Sequence, residues 1–148
     1  RRQGLRLEAV RHRGETLKFA ASELRADREL VLEAARQSWR ALRYAAEELL
    51  ADRGFMLSAV EPDGTCFAFA AEHLRADPEL ALAAVRQGSE PLEYAAEALC
   101  ADRGFMLRAV QLHGLALRFA APRLRADRAL VEEAVAHDGL ALGHAAEE

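Results

Sequence analysis

The chain has 148 residues, about half of them apolar and 30% charged, a balance typical of a soluble globular or helical protein of one domain. Its formal net charge of −4 argues against a nucleic-acid binder, whose contact surface is basic. No apolar run reaches the roughly 20 residues that span a bilayer, and two cysteines without C-x-x-C spacing exclude a disulfide framework. We expect a soluble or peripheral protein with reduced thiols, in the cytosol or in an organelle matrix or stroma.

A 25-residue repeat runs through the whole chain and is its strongest sequence signal. Each copy carries a pair of alanines, and an aspartate follows the first of them after seven residues. The aspartates are Asp27, Asp52, Asp77, Asp102 and Asp127. The repeat divides a single domain, residues 1–148, into six units at 1–25, 26–50, 51–75, 76–100, 101–125 and 126–148.

Each unit is predicted to form two short helices. The first begins at the aspartate, a favoured N-cap residue, as at Asp27. The apolar residues that follow it keep a helical period: Leu30, Val31, Ala34 and Ala35. The second helix shows the stripe of one buried face, at Leu42, Ala45, Ala46 and Leu49. Because the second helix is brief, we expect part of it to be 3₁₀.

Glycines mark the middle of most units, at Gly14, Gly64, Gly114 and Gly139. Their position predicts a left-handed cap at the end of the first helix. Trp39 and Ser89 occupy the same place in two units, where we expect another type of turn. A second set of glycines (Gly4, Gly54 and Gly104) occurs only in odd-numbered units. The chain therefore consists of three doublets of 50 residues, and successive units are expected to differ in their surroundings.

Helices of about ten residues are marginally stable in water, so neither helix of a unit is expected to stand alone. Stacking buries the apolar face of each unit against the next. The predicted fold is all-α, an α-solenoid built as a right-handed α–α superhelix of six helix-turn-helix units.

Three segments carry a resemblance to a known family: E-L-V-L-E-A-A-R-Q, G-L-A-L-R-F-A-A and A-E-E-L-L-A-D-R. They resemble the repeats of the family called domain of unknown function 4116, whose units also come as doublets of about this size. The shared positions are packing and capping positions, so the resemblance implies the fold and no activity. A looser similarity to leucine-rich repeat variants, in which an α-helix alternates with a 3₁₀ helix, is a structural alternative.

Nothing in the sequence has the parts of a catalytic or metal site. The histidines occupy different repeat positions and lack metal-binding spacing; they are His12, His73, His113, His137 and His144. No serine lies in a nucleophile motif, and no phosphate loop or dinucleotide fingerprint occurs. The repeated aspartates are explained as helix caps. We therefore expect a protein that is not an enzyme and that uses no metal and no cofactor.

Two sets of residues are candidates for binding a partner. An arginine follows the capping aspartate in four units, at Arg28, Arg53, Arg103 and Arg128, with Pro78 interrupting the row. These residues form a ladder for an acidic partner or, alternatively, keep the array soluble. At the mid-unit turns, Trp39 and Arg40 are residue types enriched at interface hot spots, unless Trp39 folds back over its own helices. Leu112, His113 and Leu115 crowd another turn.

The ends of the chain have the same apolar pattern as its interior units, with Leu5, Leu7 and Val10 at one end and Leu140, Leu142 and Ala145 at the other. We expect either a longer array or ends that are covered by a partner. The predicted function is a non-catalytic scaffold for protein–protein interaction, a subunit or fragment of a larger assembly such as an organellar or membrane complex with this chain at its periphery. The alternatives are a modular RNA-binding repeat and a regulatory module of an enzyme.

Overall fold

A computed structural model describes residues 22–146, from the end of unit 1 to nearly the end of unit 6. Units 2 to 5 each contribute a long helix, a 3₁₀ helix and a single-turn α-helix, and the described parts of units 1 and 6 add a short helix and a long helix with its 3₁₀ helix, respectively. The long helices span Arg28–Gln37, Arg53–Val60, Pro78–Val85, Arg103–Leu112 and Arg128–His137. The 3₁₀ helices span Trp39–Tyr44, Gly64–Phe69, Glu90–Tyr94, Gly114–Phe119 and Gly139–His144. The short helices span Ser22–Arg25, Glu47–Leu50, Glu72–Arg75, Glu97–Cys100 and Pro122–Arg125. Among these residues every regular element is a helix, which confirms the predicted all-α repeat fold.

The long helices begin where the sequence predicts them to begin. In units 2 to 6 the capping aspartate accepts a hydrogen bond from the backbone N–H three residues later, at 2.9–3.1 Å. This bond satisfies one of the N–H groups that the first turn of a helix leaves without a partner. One face of each long helix is then buried, as Leu30, Val31 and Ala34 show with exposures of 2% or less.

The second helix is not continuous. The 3₁₀ helix ends before Ala45, and both Ala45 and Ala46 are extended, with ψ angles of 151° and 142°. The N–H of Ala46 donates to the carbonyl of Arg25 in the previous unit at 2.8 Å, instead of to a carbonyl of its own helix. The prediction that the stripe from Leu42 to Leu49 lies on one helix is therefore wrong, whereas the predicted 3₁₀ character is confirmed.

The same backbone bond joins every pair of neighbouring units. The second alanine of each pair donates to the carbonyl of the residue that closes the previous unit, at 2.8–3.0 Å. The donors are Ala46, Ala71, Ala96, Ala121 and Ala146, and the acceptors are Arg25, Leu50, Arg75, Cys100 and Arg125. Beneath this ladder a single apolar core runs from Leu24 to Ala141. The units therefore form an open stack that advances once every 25 residues.

The mid-unit glycines permit close contact between units. A Cβ atom on Gly64 would lie 2.1 Å from the carbonyl oxygen of Ala84, and one on Gly114 would lie 2.4 Å from that of Ala134. No glycine among the described residues has a positive φ angle. The predicted left-handed caps are therefore wrong at the described glycines, because Gly64, Gly114 and Gly139 each start a 3₁₀ helix, and the first two lie directly beneath the long helix of the next unit.

The predicted difference between successive units is confirmed. The 3₁₀ helices of units 3 and 5 pack against the next unit's long helix, whereas those of units 2 and 4 touch it only slightly. Trp39 and Ser89 stand at the two wider junctions. The expected change of turn occurs at Ser89, whose backbone is helical (φ −86°, ψ −15°). It does not occur at Trp39, because the extended Ser38 before it matches Asp63 before Gly64.

Some predictions made from the sequence lie outside the described residues. They concern Gly4, Leu5, Leu7, Val10, His12 and Gly14 of unit 1. In unit 6, Leu142 is 62% exposed, whereas its counterparts in the four preceding units are at most 2% exposed. In the interior of the stack, the following unit therefore supplies most of the burial of this side chain.

Replacing Gly64 with alanine is expected to destabilise the protein, because the new methyl group meets a backbone oxygen that cannot move without shifting a helix. We expect a loss of about 1–3 kcal/mol, the usual range for overpacking. The control is Gly139→Ala, since a Cβ on Gly139 has nothing within 4 Å and alanine restricts the unfolded chain. Urea unfolding followed by circular dichroism measures both variants. Equal stability of the two would contradict the close-contact explanation.

Candidate interaction surfaces

The predicted arginine row is a ladder of ion pairs between units. Three of its arginines bind the capping aspartate of the following unit, 24 residues further along the chain. The pairs are Arg28 with Asp52 at 3.1 Å, Arg53 with Asp77 at 2.6 Å and Arg103 with Asp127 at 2.8 Å. Each aspartate thus caps its own long helix through one oxygen and binds the preceding unit through the other.

These contacts lower the pKa of the aspartates. The backbone N–H of Phe55 and the guanidinium of Arg28 lower the pKa of Asp52. Burial acts to raise the pKa of Asp77, but the hydrogen bonds from Arg53 and from the N–H of Leu80 outweigh it and lower that pKa. The carboxylates of the ladder are therefore held in their charged form.

The ladder has one gap and one changed step. Pro78 has no side-chain donor, and among the described residues no arginine donates to Asp102, which caps its helix through the N–H of Phe105. Arg128 binds Glu132 of its own helix at 2.8 Å and is 90% exposed. All four predicted partner-binding arginines therefore have an acidic partner within the chain, and in three of them that partner is the capping aspartate of the next unit.

Trp39 lies at the turn between the long helix and the 3₁₀ helix of unit 2. Its half-buried ring packs on Phe69 of the next unit, with ring centroids 5.7 Å apart. The guanidinium of Arg40 also lies over the Trp39 ring, 4.8 Å from its centroid. Trp39 thus packs onto the stack through the 3₁₀ helix of the next unit, not over its own helices as one sequence-based alternative states, and Arg40 beside it is exposed.

The other predicted turn borders a groove between the long helices of units 4 and 5. Leu112 is 45% exposed at the end of the unit 5 helix, and Leu115 is half-buried just beyond it. His113 between them has its Nε2 atom 3.0 Å from the backbone oxygen of Arg86. The groove has a volume of about 240 Å³ and is lined by Glu79, Leu82, Ala83, Arg86, Arg108, Gln111 and Leu112.

Sequence reasoning identified Leu112 but missed the polar residues of this groove. Arg108 reaches across it and binds Glu79 at 3.0 Å. Their separation of 29 residues equals one unit plus four residues, so they lie about one helical turn apart along adjacent helices, a distance that two long side chains can span. The sequence could have indicated this pair through its spacing. Many other pairs have the same spacing, however, and the sequence does not show which of them face each other.

The described residues contain no cluster of His, Cys, Asp or Glu side chains arranged to hold a metal ion. Both thiols are free and buried. Burial raises the pKa of Cys66 to about 12 and also raises that of Cys100, so both are neutral and poor nucleophiles near neutral pH. In the part of the chain that the structure covers, no helix has the length and apolar character needed to cross a bilayer.

Replacing Asp77 with asparagine separates the two roles of this residue. Asparagine still caps a helix, but it removes the charge that pairs with Arg53. Because folding lowers the pKa of Asp77, its contribution to stability is complete above the usual aspartate pKa of about 4 and is lost as the pH falls below it. We expect a lower urea midpoint for Asp77→Asn than for wild type at neutral pH, with a difference that closes in strong acid.

The matched control is Asp102→Asn, since Asp102 has the same capping position without a ladder arginine. We expect it to lower the urea midpoint less than Asp77→Asn does, and both losses to be smaller than that of Gly64→Ala, since exposed ion pairs stabilise weakly. Equal effects of the two asparagine variants at neutral pH would show that the ion pairs contribute nothing measurable.

Comparison with known proteins identifies the family of the chain. No curated protein and no solved structure matches the chain. A family model described as "Domain of unknown function (DUF4116)" matches three consecutive segments, residues 5–50, 52–100 and 102–148. Each segment spans two units, and together they cover nearly the whole sequence. The chain therefore belongs to the DUF4116 family.

Proposed function

We propose that the chain is a non-catalytic scaffold that binds a protein partner in the groove between units 4 and 5. The observation that carries the proposal is an exposed leucine, Leu112, beside a groove with an apolar floor and a polar rim. Peptide segments bind grooves of this kind by placing an apolar side chain on the floor and polar groups on the rim. An exposed large apolar side chain in such a place is typical of an interaction site.

The floor and the rim of the groove favour a partner with both apolar and acidic side chains. Leu82 and Ala83 form the floor, together with Leu112. Arg86 caps the C-terminal end of the unit 4 helix and Arg108 lies on the unit 5 helix, and the ion pair with Glu79 occupies only Arg108. The rim therefore keeps a positive charge that suits a carboxylate of the partner.

Trp39 and Arg40 form a second, smaller contact in this proposal. The Trp39 ring is fixed by Phe69, and Arg40 is held over it, so the guanidinium loses less conformational freedom when a partner binds. The four predicted arginines are left out of the proposed surface, since all of them already bind carboxylates of the chain. We also propose that the scaffold works within a larger assembly, because a stack of units offers more than one such contact.

Modular RNA binding is the weaker candidate. It requires a basic groove and a base-reading set of side chains in each unit. The net charge is −4, and an acidic residue, Glu79, lies on the rim of the groove. The one positive charge that remains on the rim is too little for a phosphate backbone, which needs several basic side chains along its length, so the charge distribution favours a protein partner.

Replacing Leu112 with glutamate tests the proposal, because it puts a charge on the apolar floor without disturbing the buried core. Tagged wild-type and variant chains are expressed in the source cells, and the proteins that co-purify are quantified by mass spectrometry. We expect the variant to recover the main partner at least about tenfold less well than wild type, as for an interface hot spot.

The control variant is Gln37→Glu, which introduces the same residue at the equivalent position of unit 2, where the wild-type residue is already polar. We expect it to recover the partner as wild type does. Partners that are recovered equally by wild type and Leu112→Glu would show that the groove is not the binding site.

A further inference from the structure

The outward side of the 3₁₀ helices in units 2 to 4 forms a regular surface, here called the 3₁₀ face. Three residues complete one turn of a 3₁₀ helix, so residues three apart lie on the same side. In unit 2, Ala41 and Leu42 are fully buried, which leaves Arg40 and Arg43 exposed together on the outer side.

The equivalent positions of the next two units carry different charges. In unit 3 they are Thr65 and Ala68, which are uncharged. In unit 4 they are Glu90 and Glu93, both exposed because Pro91 and Leu92 between them are buried. Along the stack, the 3₁₀ face therefore reads as two positive charges, a neutral unit and two negative charges.

These four charges have no counterion in the part of the chain that the structure covers. No ion pair among the described residues involves Arg40, Arg43, Glu90 or Glu93. Packed helices lie about 8–10 Å apart, so two units separate the basic pair from the acidic pair by roughly 20 Å. That distance exceeds the screening length of about 8 Å at physiological salt, and the two pairs cannot neutralise each other within one chain.

We propose that the 3₁₀ face binds a second copy of this chain, in a dimer with two-fold symmetry. A two-fold axis parallel to the 3₁₀ helix of unit 3 brings unit 2 of one chain against unit 4 of the other. In that arrangement Arg40 faces Glu90 and Arg43 faces Glu93, and the symmetry makes the same two pairs again. The face is complementary to itself in this one orientation.

The centre of the face fits the same arrangement. A residue on the two-fold axis meets its own copy, so a charged residue there would be repelled. Thr65 and Ala68 occupy this place, and both are small and uncharged. Arg40 is also held in position by the Trp39 ring, which lowers the entropy lost when it forms an intermolecular pair.

The charge pattern favours a second copy over other partners. A nucleic acid or a uniformly acidic protein that binds Arg40 and Arg43 would meet Glu90 and Glu93 two units away, and a basic partner would be repelled at the other end. The residues differ from those of the groove between units 4 and 5, although Arg40 also belongs to the smaller contact of the proposed scaffold. Leu112→Glu tests the groove without changing the 3₁₀ face, so failure of the dimer and failure of the groove are distinguishable.

Sedimentation velocity of charge-reversed variants tests the dimer. We expect the wild-type chain to sediment as a dimer at low salt and to dissociate toward monomer in about 1 M salt, where the screening length is about 3 Å. Both Arg40→Glu/Arg43→Glu and Glu90→Arg/Glu93→Arg place like charges opposite each other. Each is expected to raise the dimer Kd by about 100-fold or more. Glu47→Arg/Glu48→Arg, a double reversal of exposed charges on a short helix, is the control and should dimerise as wild type does.

Mixing the two reversed variants gives the decisive result. One variant then has negative charges and the other positive charges at both ends of the face, so an equimolar mixture should form a heterodimer although each variant alone is monomeric. The fourfold variant, with all four charges reversed, should dimerise again. A monomeric wild-type chain at low salt and high concentration would overturn the proposal, as would dimers in either reversed variant alone or monomers in the mixture.

Discussion

The structure depends on one constraint, which is that a unit cannot bury its apolar face without the next unit. The position that Leu42 occupies in its unit shows this directly. Leu42 and Leu117 are completely buried between units, whereas Leu142, in the last described unit, is 62% exposed. The ladder of backbone bonds between units has the same origin, because the N–H of Ala46 is satisfied by the previous unit and not by its own helix. Local and long-range structure are therefore formed together, as in other repeat proteins.

The chain is organised in doublets because neighbouring units pack against each other in two different ways. Within a doublet, a glycine lets the next long helix lie directly on the 3₁₀ helix, as Gly64 does beneath Ala84. Between doublets the junction is wider, and a tryptophan or a serine takes the place of glycine. The groove with Leu112 lies at such a junction, between units 4 and 5. Pro78 removes a step of the arginine ladder at the same junction, so the proposed binding groove lies where the stack has fewer contacts between units.

The sequence predicts the features that depend on local chemistry. A repeated aspartate before an apolar helical pattern is sufficient to place every described long helix, and the brevity of the second helix indicates its 3₁₀ character. The break at Ala45 and Ala46 was missed because its cause is a backbone bond to a residue 21 positions earlier. The mid-unit glycines were identified as special positions, but the reason predicted for them, a left-handed backbone, was wrong. At Gly64 and Gly114 a side chain is excluded by a backbone oxygen of the next unit. The candidate site was predicted only in part: Leu112 is visible as an apolar residue at a turn, whereas the pairing of Arg108 with Glu79 depends on how two helices face each other.

Circular dichroism of a synthetic peptide that covers unit 4 alone, residues 76–100, tests the central constraint most directly. This unit has a well-capped long helix, with Asp77 accepting from two backbone N–H groups and proline at the first helical position, so it is the most favourable case for an independent unit. If burial against neighbours is what forms the structure, the dilute peptide gives the spectrum of an unfolded chain and shows no cooperative thermal transition. A helical spectrum with a cooperative transition in the dilute peptide would show that a unit folds alone, and it would contradict this explanation of the stack.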